Sequence, residues 1–227
     1  MKLVLHCHTK YSRDSLLSFR LLYLMCRLNK IRYIAITEHN NIVGAIEFEK
    51  YCKERGNFVK VIIGEEIMTS CGEIIGLYLK SEIPIGLSPE EVIENIENQG
   101  GIVYIPHPYD RKRLKTVLKE EIIAKYKNRF DCIECHNGRN ISNDYDEKQN
   151  RIAEIYGITK VVGSDAHTFV ELGRNYMEID IEPLTPADFR TALKTAKFHS
   201  NRCIKVAHLI TKFVKAYKII KSREDRT

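Results

Sequence analysis

The sequence predicts an α/β fold built on a largely parallel sheet, open or closed into a barrel, and three observations carry that expectation. Short β-like runs alternate with helix-like segments almost from end to end, the strand-then-helix order that parallel sheets require. Histidines and carboxylates gather at or just past the ends of the β-like runs, and in a parallel barrel those ends open on one face. A length of 227 residues, 44% hydrophobic and 29% charged, suits one larger domain or a domain with a small appendage.

Strands are expected at residues 2–5, 32–37, 59–63, 102–105, 131–134, 160–162 and 177–181, with an extra strand near 73–79. Between them helical periodicity marks residues 16–28, 42–55, 89–99, 114–127 and 145–156, and then 186–196 after the last strand. The segment "LSPEEVIENIENQGG" is the clearest helix. Ser88 is its N-cap, Pro89 its first helical position, acidic residues fill the first turn and glycines follow its end. A final helix over 203–222 carries Ala207, Ile210, Phe213, Val214, Tyr217 and Ile220 on one face, with Lys205, Lys212, Lys215 and Lys218 off it. That face is expected to dock on the core, giving a barrel over 1–200 and a C-terminal basic helix over 201–227. Trimming 204–227 is then expected to leave chemistry on a small substrate largely intact.

The net charge of +6 belongs to the tail. From Lys194 onward ten Lys or Arg face two acidic residues, which leaves the body near −2 and argues against a long electrostatic track for nucleic acid. No stretch reaches the roughly 20 apolar residues of a membrane span, and the opening "LVL" is too short for a signal peptide. Seven cysteines without framework spacing fit reduced thiols, so a cytoplasmic location is expected. The one C-x-x-C, Cys132 to Cys135, lies on a strand, where an odd offset sends the sulfurs to opposite faces.

His6 and His8 bracket Cys7 on the first strand, and alternation puts both imidazoles on one side with the thiol opposite. His39 follows "YIAITE", Glu65 and Glu66 follow "VIIG", His107 follows "IVYIP", Glu134 and His136 end "DCIECH", and Asp165 and His167 follow "VVGS". Six of the eight histidines thus stand at strand ends, and chance would scatter them. Neutral imidazoles with carboxylates and no convincing thiolate suit a polynuclear site of zinc, manganese or iron.

The motifs "HCHTKYSRD", "TEHN", "GEEI", "IPHP", "IECHNGRN" and "GSDAH" occur in this order over about residues 1 to 182, and by them the chain resembles the PHP (polymerase and histidinol phosphatase) superfamily, in particular its small stand-alone members. The resemblance implies a distorted seven-stranded (β/α) barrel, TIM-barrel-like, holding two or three divalent ions. It implies hydrolysis of a small phosphoester, such as histidinol phosphate or a nucleotide, by metal-activated water. Carried onto matching positions, His6, His8, Asp14, His39, Glu66, His107, Asp165 and His167 would bind metal. His39, His167 and Asp165 are the candidates for catalytic roles. Arg13 is an extra residue between Ser12 and Asp14, "GEEI" favours Glu66 over Glu65, and Glu73 stands where relatives often place histidine. Glu134 and His136 are further candidates. Arg139, behind the "IECH" strand, and Arg111, after "HPYD", are candidates to clamp phosphate. Two other readings compete: a nuclease on RNA or DNA ends, drawing on the basic helix, and a non-catalytic metal-bound regulatory module.

Overall fold

The computed structural model describes residues 1–203 and 205–224; Ile204 and residues 225–227 of the expected tail lie outside the described residues. The elements are β1 (Lys2–Cys7), α1 (Phe19–Leu28), β2 (Ile31–His39), α2 (Val43–Lys53), β3 (Lys60–Thr69), β4 (Gly72–Leu77), α3 (Pro89–Asn98) and β5 (Ile102–Ile105). They continue as α4 (Glu120–Tyr126), β6 (Cys132–Asn137), α5 (Asn143–Tyr156), β7 (Thr159–Ala166), β8 (Tyr176–Glu178), α6 (Pro186–Leu193), β9 (Lys197–His199) and α7 (Lys205–Glu224). Neighbouring strands pair in the order β2-β3-β4-β5-β6-β7-β1, and β1 also pairs with β2, so seven strands close into a barrel.

The seventh strand is not the one the strand count suggested. Residues 73–79, read as an extra strand, supply β4 of the ring, whereas the run at 177–181 supplies only β8, at the barrel's edge. The reason is local. Only Ser70 and Cys71 separate β3 from β4, too few residues for a crossover helix, so β4 must turn back antiparallel. β1 then divides its length. Lys2 and Leu3 pair with antiparallel β8, while Leu5 and Cys7 pair with parallel β7.

Alternation along the strands sorts the barrel into floor and rim. Leu5, Tyr33, Ile62, Leu77, Tyr104 and Val161 share one buried cluster with Phe189, Ala192 and Leu193 of α6, which plugs the end where the parallel strands begin. Farther along the same inward faces the side chains become Thr37, Glu66, Glu134 and Asp165. Two outer clusters pack the helices against the barrel, one under α1 and α2, the other under α3, α4 and α5. Cys132 lies in the inner cluster and Cys135 outside it, and all seven cysteines are free.

α3 forms as read, with Ser88 and Glu91 making a reciprocal capping box and Pro89 in the first turn, a cap contributing about 1 kcal/mol. The helix expected over 114–127 is shorter. Residues 110–119 instead form a loop held across the β3–β4 turn, where the Glu73 amide donates to the Thr116 carbonyl (2.7 Å). Gly72, at φ 121°, makes this approach possible, since a Cβ there would stand 2.5 Å from Val117 and Leu118 backbone atoms.

α7 docks on the barrel by a different face from the one expected. Ala207, Thr211 and Val214 are buried, but Ile210, Phe213, Tyr217 and Ile220 are exposed. The surface it crosses is polar. Thr211 accepts from Arg139 (3.0 Å), and Lys218 Nζ donates to the carbonyls of Lys10 (2.7 Å) and Ser12 (2.6 Å). The helix therefore turns its hydrogen-bonding side inward.

Candidate metal centre

His6 and His8 converge on one side with Cys7 on the other, as alternation predicts, but the strand leading into them is irregular. The pairing of β1 shifts register between Leu5 and Cys7, and His6 takes φ 61°, so the strand changes phase: Leu3 and Leu5 face the inner cluster, Val4 and Cys7 the outer one. The two imidazole rings end with centroids 5.1 Å apart. His107 (φ 27°) and Asp165 (φ 49°) also adopt left-handed backbone, at a cost on the order of 1–3 kcal/mol each. Three of the converging residues are thus held in conformations their own sequence disfavours.

The remaining members arrive from separate strands. His39 ends β2, its register partner on β3 is Glu66, and Glu73 on β4 stands opposite Met68, on Glu66's face. Around Glu66 lie His107 Nε2 (3.0 Å), His6 Nε2 (3.2 Å), His39 Nδ1 (2.9 Å) and His8 Nε2 (3.5 Å). Asp165 Oδ1 is 3.6 Å from His6 Nε2 and 3.7 Å from His8 Nε2. Asp14 Oδ1 reaches His167 Nε2 (3.2 Å) and His39 Nε2 (3.4 Å). Four overlapping triads, His6–Glu66–His107, His6–His8–Asp165, His8–His39–His167 and His39–Glu66–Glu73, each bring possible ligand atoms within 4.8 Å of one another.

Several rings are oriented from behind. His6 Nδ1 is bonded to Glu134 (2.8 Å), His8 Nδ1 to the Ser12 hydroxyl (3.1 Å) and His167 Nδ1 to the Asp165 carbonyl (2.9 Å), which leaves each Nε2 directed inward. His6 Nε2, His8 Nε2, both nitrogens of His39 and Asp165 Oδ1 are buried without a hydrogen bond. Buried lone pairs are rarely left so, and this set of imidazole and carboxylate donors fits divalent cations.

The electrostatics point the same way. Burial disfavours charge on Glu66 and Asp165, yet the cations around them prevail: His6 and His39 hold the Glu66 carboxyl well below the usual range, and Arg113, His6 and His167 do so for Asp165. Burial also opposes a proton on His6, but Glu66, Asp165 and Glu134 raise its proton affinity well above normal. His8 goes the other way, lowered by burial and by the facing His167 and His39. Burial and the charge of Glu66 push Glu73 up to about 7. The cluster is a concentration of negative charge that draws cations.

Of the residues singled out in the sequence, His6, His8, Asp14, His39, Glu66, Glu73, His107, Asp165 and His167 come together. Glu134 stands one layer behind, fully engaged by His6, the Tyr104 hydroxyl (2.5 Å), the His107 amide (2.6 Å) and Asn137 (2.7 Å). Glu65 is not at the site. Adjacent to Glu66 on β3, it points to the opposite side and accepts from the Ile83 amide (3.0 Å). His136 is also elsewhere, bonded to Asp146 (2.9 Å) and Asn175 (3.2 Å) beside a second, smaller cavity. Arg139 is buried at the cavity wall against Glu171 (3.4 Å), while Arg111 lies at the mouth and donates to the Tyr109 hydroxyl (2.9 Å).

The cluster opens into a cavity of about 630 Å³ whose wall is largely cationic, including Arg113, Arg139, Lys212 and Lys215. Arg113 lies 2.7 Å from Asp165 Oδ2. Lys215 Nζ is 3.7 Å from Asp14 Oδ2, so α7, expected to dock on the core without a part in the chemistry, lines the site. Sequence reading missed Glu38. Its carboxylate accepts from the Thr9 amide (3.0 Å) and the Thr9 and Ser12 hydroxyls, fixing the loop that carries His8 and Asp14. Its adjacency to His39 in "TEHN" was the available signal.

A PHP domain model matches residues 5–175. An uncharacterized protein of Methanocaldococcus jannaschii is 35% identical over 205 residues, covering 86% of this chain and 79% of its own length. A second uncharacterized protein of that organism is 49% identical over 119 residues, 48% of this chain and 68% of the relative. Among solved structures, a two-domain protein from Bacteroides vulgatus containing a predicted PHP-like metal-dependent phosphoesterase superposes with a TM-score of 0.68 at 19% identity. The match covers 88% of this chain but only 65% of that one. An amidohydrolase from Chromobacterium violaceum gives 0.62 at 16% identity, with 87% and 98% covered. The order of the motifs, the seven-stranded ring and the domain match over most of the chain agree: the chain belongs to the PHP domain family.

Proposed function

We propose that this protein is a metal-dependent phosphoric ester hydrolase acting on a small phosphorylated molecule. The observation that carries the reading is the set of inward-facing, hydrogen-bond-free lone pairs on His6, His8, His39 and Asp165 at the base of a cation-walled cavity. His6, His8, Asp14, His39, Glu66, His107, Asp165 and His167, with Glu73 beside them, would hold two or three divalent ions of zinc, manganese or iron. When bound, such ions supply Lewis acidity towards phosphoryl oxygen and lower the pKa of water. Arg113 and Lys215 stand at the cluster's edge and meet the phosphoryl oxygens, with Arg139 farther along the wall and Arg111 at the mouth. His39 and His167 both line the cavity, and whichever of them leaves a ring nitrogen unbound by metal would give a proton to the leaving oxygen. Glu134 orients His6 from behind and Glu38 the Thr9–Ser12 loop, so both act as positioning residues.

A second reading, a nuclease on RNA or DNA ends, draws on Lys212, Lys215 and Lys218 of α7, which continue the cationic lining beyond the cluster. Metal-stripped protein reconstituted with manganese or zinc and assayed on an aryl phosphomonoester, nucleotides and end-labelled oligonucleotides separates the readings. Chelator-sensitive turnover of the monoesters supports the first. Activity confined to oligonucleotides replaces it with the second, and inertness of metal-loaded protein across the panel supports a non-catalytic module.

A further inference from the structure

We propose that the outer face of α7, together with the loop at residues 110–119, is a docking surface for an anionic lipid bilayer, and that the metal cavity opens toward the headgroups. Val206, Leu209, Phe213, Tyr217 and Ile220 recur every three or four residues and are 58%, 55%, 75%, 54% and 58% exposed. They form one stripe on the side of α7 away from buried Ala207, Thr211 and Val214. At 100° per residue, Lys212 and Lys221 flank this stripe on its two sides, and the sequence from Lys205 to Ser222 holds no acidic residue. A second element repeats the arrangement: Leu114 is 80% exposed at the same cavity, among Arg111, Lys112 and Lys115.

Charge decides among the surfaces that can cover such a stripe. A second copy pairing along it would set lysine rows against each other with no carboxylate between them. A nucleic-acid backbone would meet the lysines and leave the apolar stripe wet. An anionic bilayer meets both, taking Phe213, Tyr217 and Ile220 into the headgroup boundary while the lysine ammoniums reach lipid phosphates. No described helix is long and apolar enough to cross a membrane, so α7 would lie in the surface plane.

The test is co-sedimentation of the full chain with phosphatidylcholine vesicles containing 30% phosphatidylglycerol, compared with pure phosphatidylcholine, and it requires no catalytic activity. The chain should pellet with the anionic vesicles only, and less in high salt. Phe213→Asp should weaken the partition by about tenfold or more, and Leu114→Asp several-fold. Both positions are exposed, so circular dichroism should show intact folds, and Phe213→Asp should turn over a soluble aryl phosphate as the parent does. Absence of binding, equal binding to neutral vesicles, or anionic binding indifferent to Phe213→Asp would overturn the proposal. So would a solution dimer that Phe213→Asp dissociates, since a second copy would then own the face.

Discussion

Gly163→Ala tests whether the metal centre depends on the layer behind it. A Cβ at Gly163 would stand 2.0 Å from Glu134 Oε1 and 2.2 Å from its Cδ. Ordinary contact begins near 3.4 Å, so the carboxylate must retreat by about 1.4 Å. Oε1 now serves His6 Nδ1 at 2.8 Å and the Tyr104 hydroxyl at 2.5 Å, and that retreat takes at least one beyond hydrogen-bond range. A buried bond to a charged acceptor is worth about 1.5–3 kcal/mol, and disturbing the partner of a ligating imidazole typically lowers metal affinity about 10–100-fold. Calorimetric titration of metal-free Gly163→Ala with manganese or zinc, beside far-ultraviolet circular dichroism, should show that loss on an intact barrel. Glu134→Gln keeps the shape, removes the charge, and should fall in the same range. If Gly163→Ala binds metal as tightly as the parent, Glu134 does not position His6 and the argument for a preorganised centre fails.

Other variants probe the site at different depths. Glu66→Gln and Asp165→Asn should each drop bound metal, read by elemental analysis, and reduce phosphoester turnover by about a thousandfold or more, because each carboxylate faces several imidazoles at once. Lys215→Ala should raise KM for an aryl phosphate about tenfold with unchanged metal content, and removal of α7 should cost more, since Lys218 also holds the Lys10–Ser12 loop. Glu65→Gln should behave oppositely to a site variant. Burial pushes Glu65 up to about 7 from an unfolded value near 4.5, so its favourable contribution is complete below pH 4.5 and is lost as pH rises through 7. Denaturant titration should find the variant more stable at pH 8 by up to about 3 kcal/mol, with the difference gone near pH 4.5, and equal stability at pH 8 would show that Glu65 is ionised without penalty.

Most of the ligand cluster was legible because strand ends are local features: each of His39, Glu66, His107 and Asp165 follows an apolar run that any reader of periodicity finds. The errors came where the outcome depends on distant partners. The "TSCG" link between β3 and β4 is too short for a crossover and did mark a hairpin, but only ring closure shows that β4 displaces the run at 177–181 from the barrel. Helical periodicity over 114–119 was real yet outweighed, since Arg113 is drawn to Asp110 and Asp165 and the backbone is tied to Glu73. Lys215 and Asp14 are some two hundred residues apart, and no local pattern pairs them. Nor does an amphipathic face announce which side will dock. α7 follows the hydrogen bonds offered by Arg139 and the Lys10–Ser12 loop instead of its own apolar stripe.

The division between floor and rim explains how one barrel tolerates so unfavourable a centre. Positive φ at His6, His107 and Asp165, with buried lone pairs left unbonded, would strain a small domain if the same strands also had to hold the chain together there. They do not. The inner apolar cluster sits at the opposite ends of these strands, closed by α6, and the outer clusters lock each helix from the other side. Stability therefore comes from residues that precede the ligands on the same strands: Leu3 and Leu5 before His6, Tyr33 and Ala35 before His39, Ile62 before Glu66, Val161 before Asp165. Because alternation fixes the face and strand direction fixes the order, the apolar residue that anchors each strand also aims the polar one that follows it, and the bulge at His6 is what turns both imidazoles of the first strand inward instead of outward with Val4.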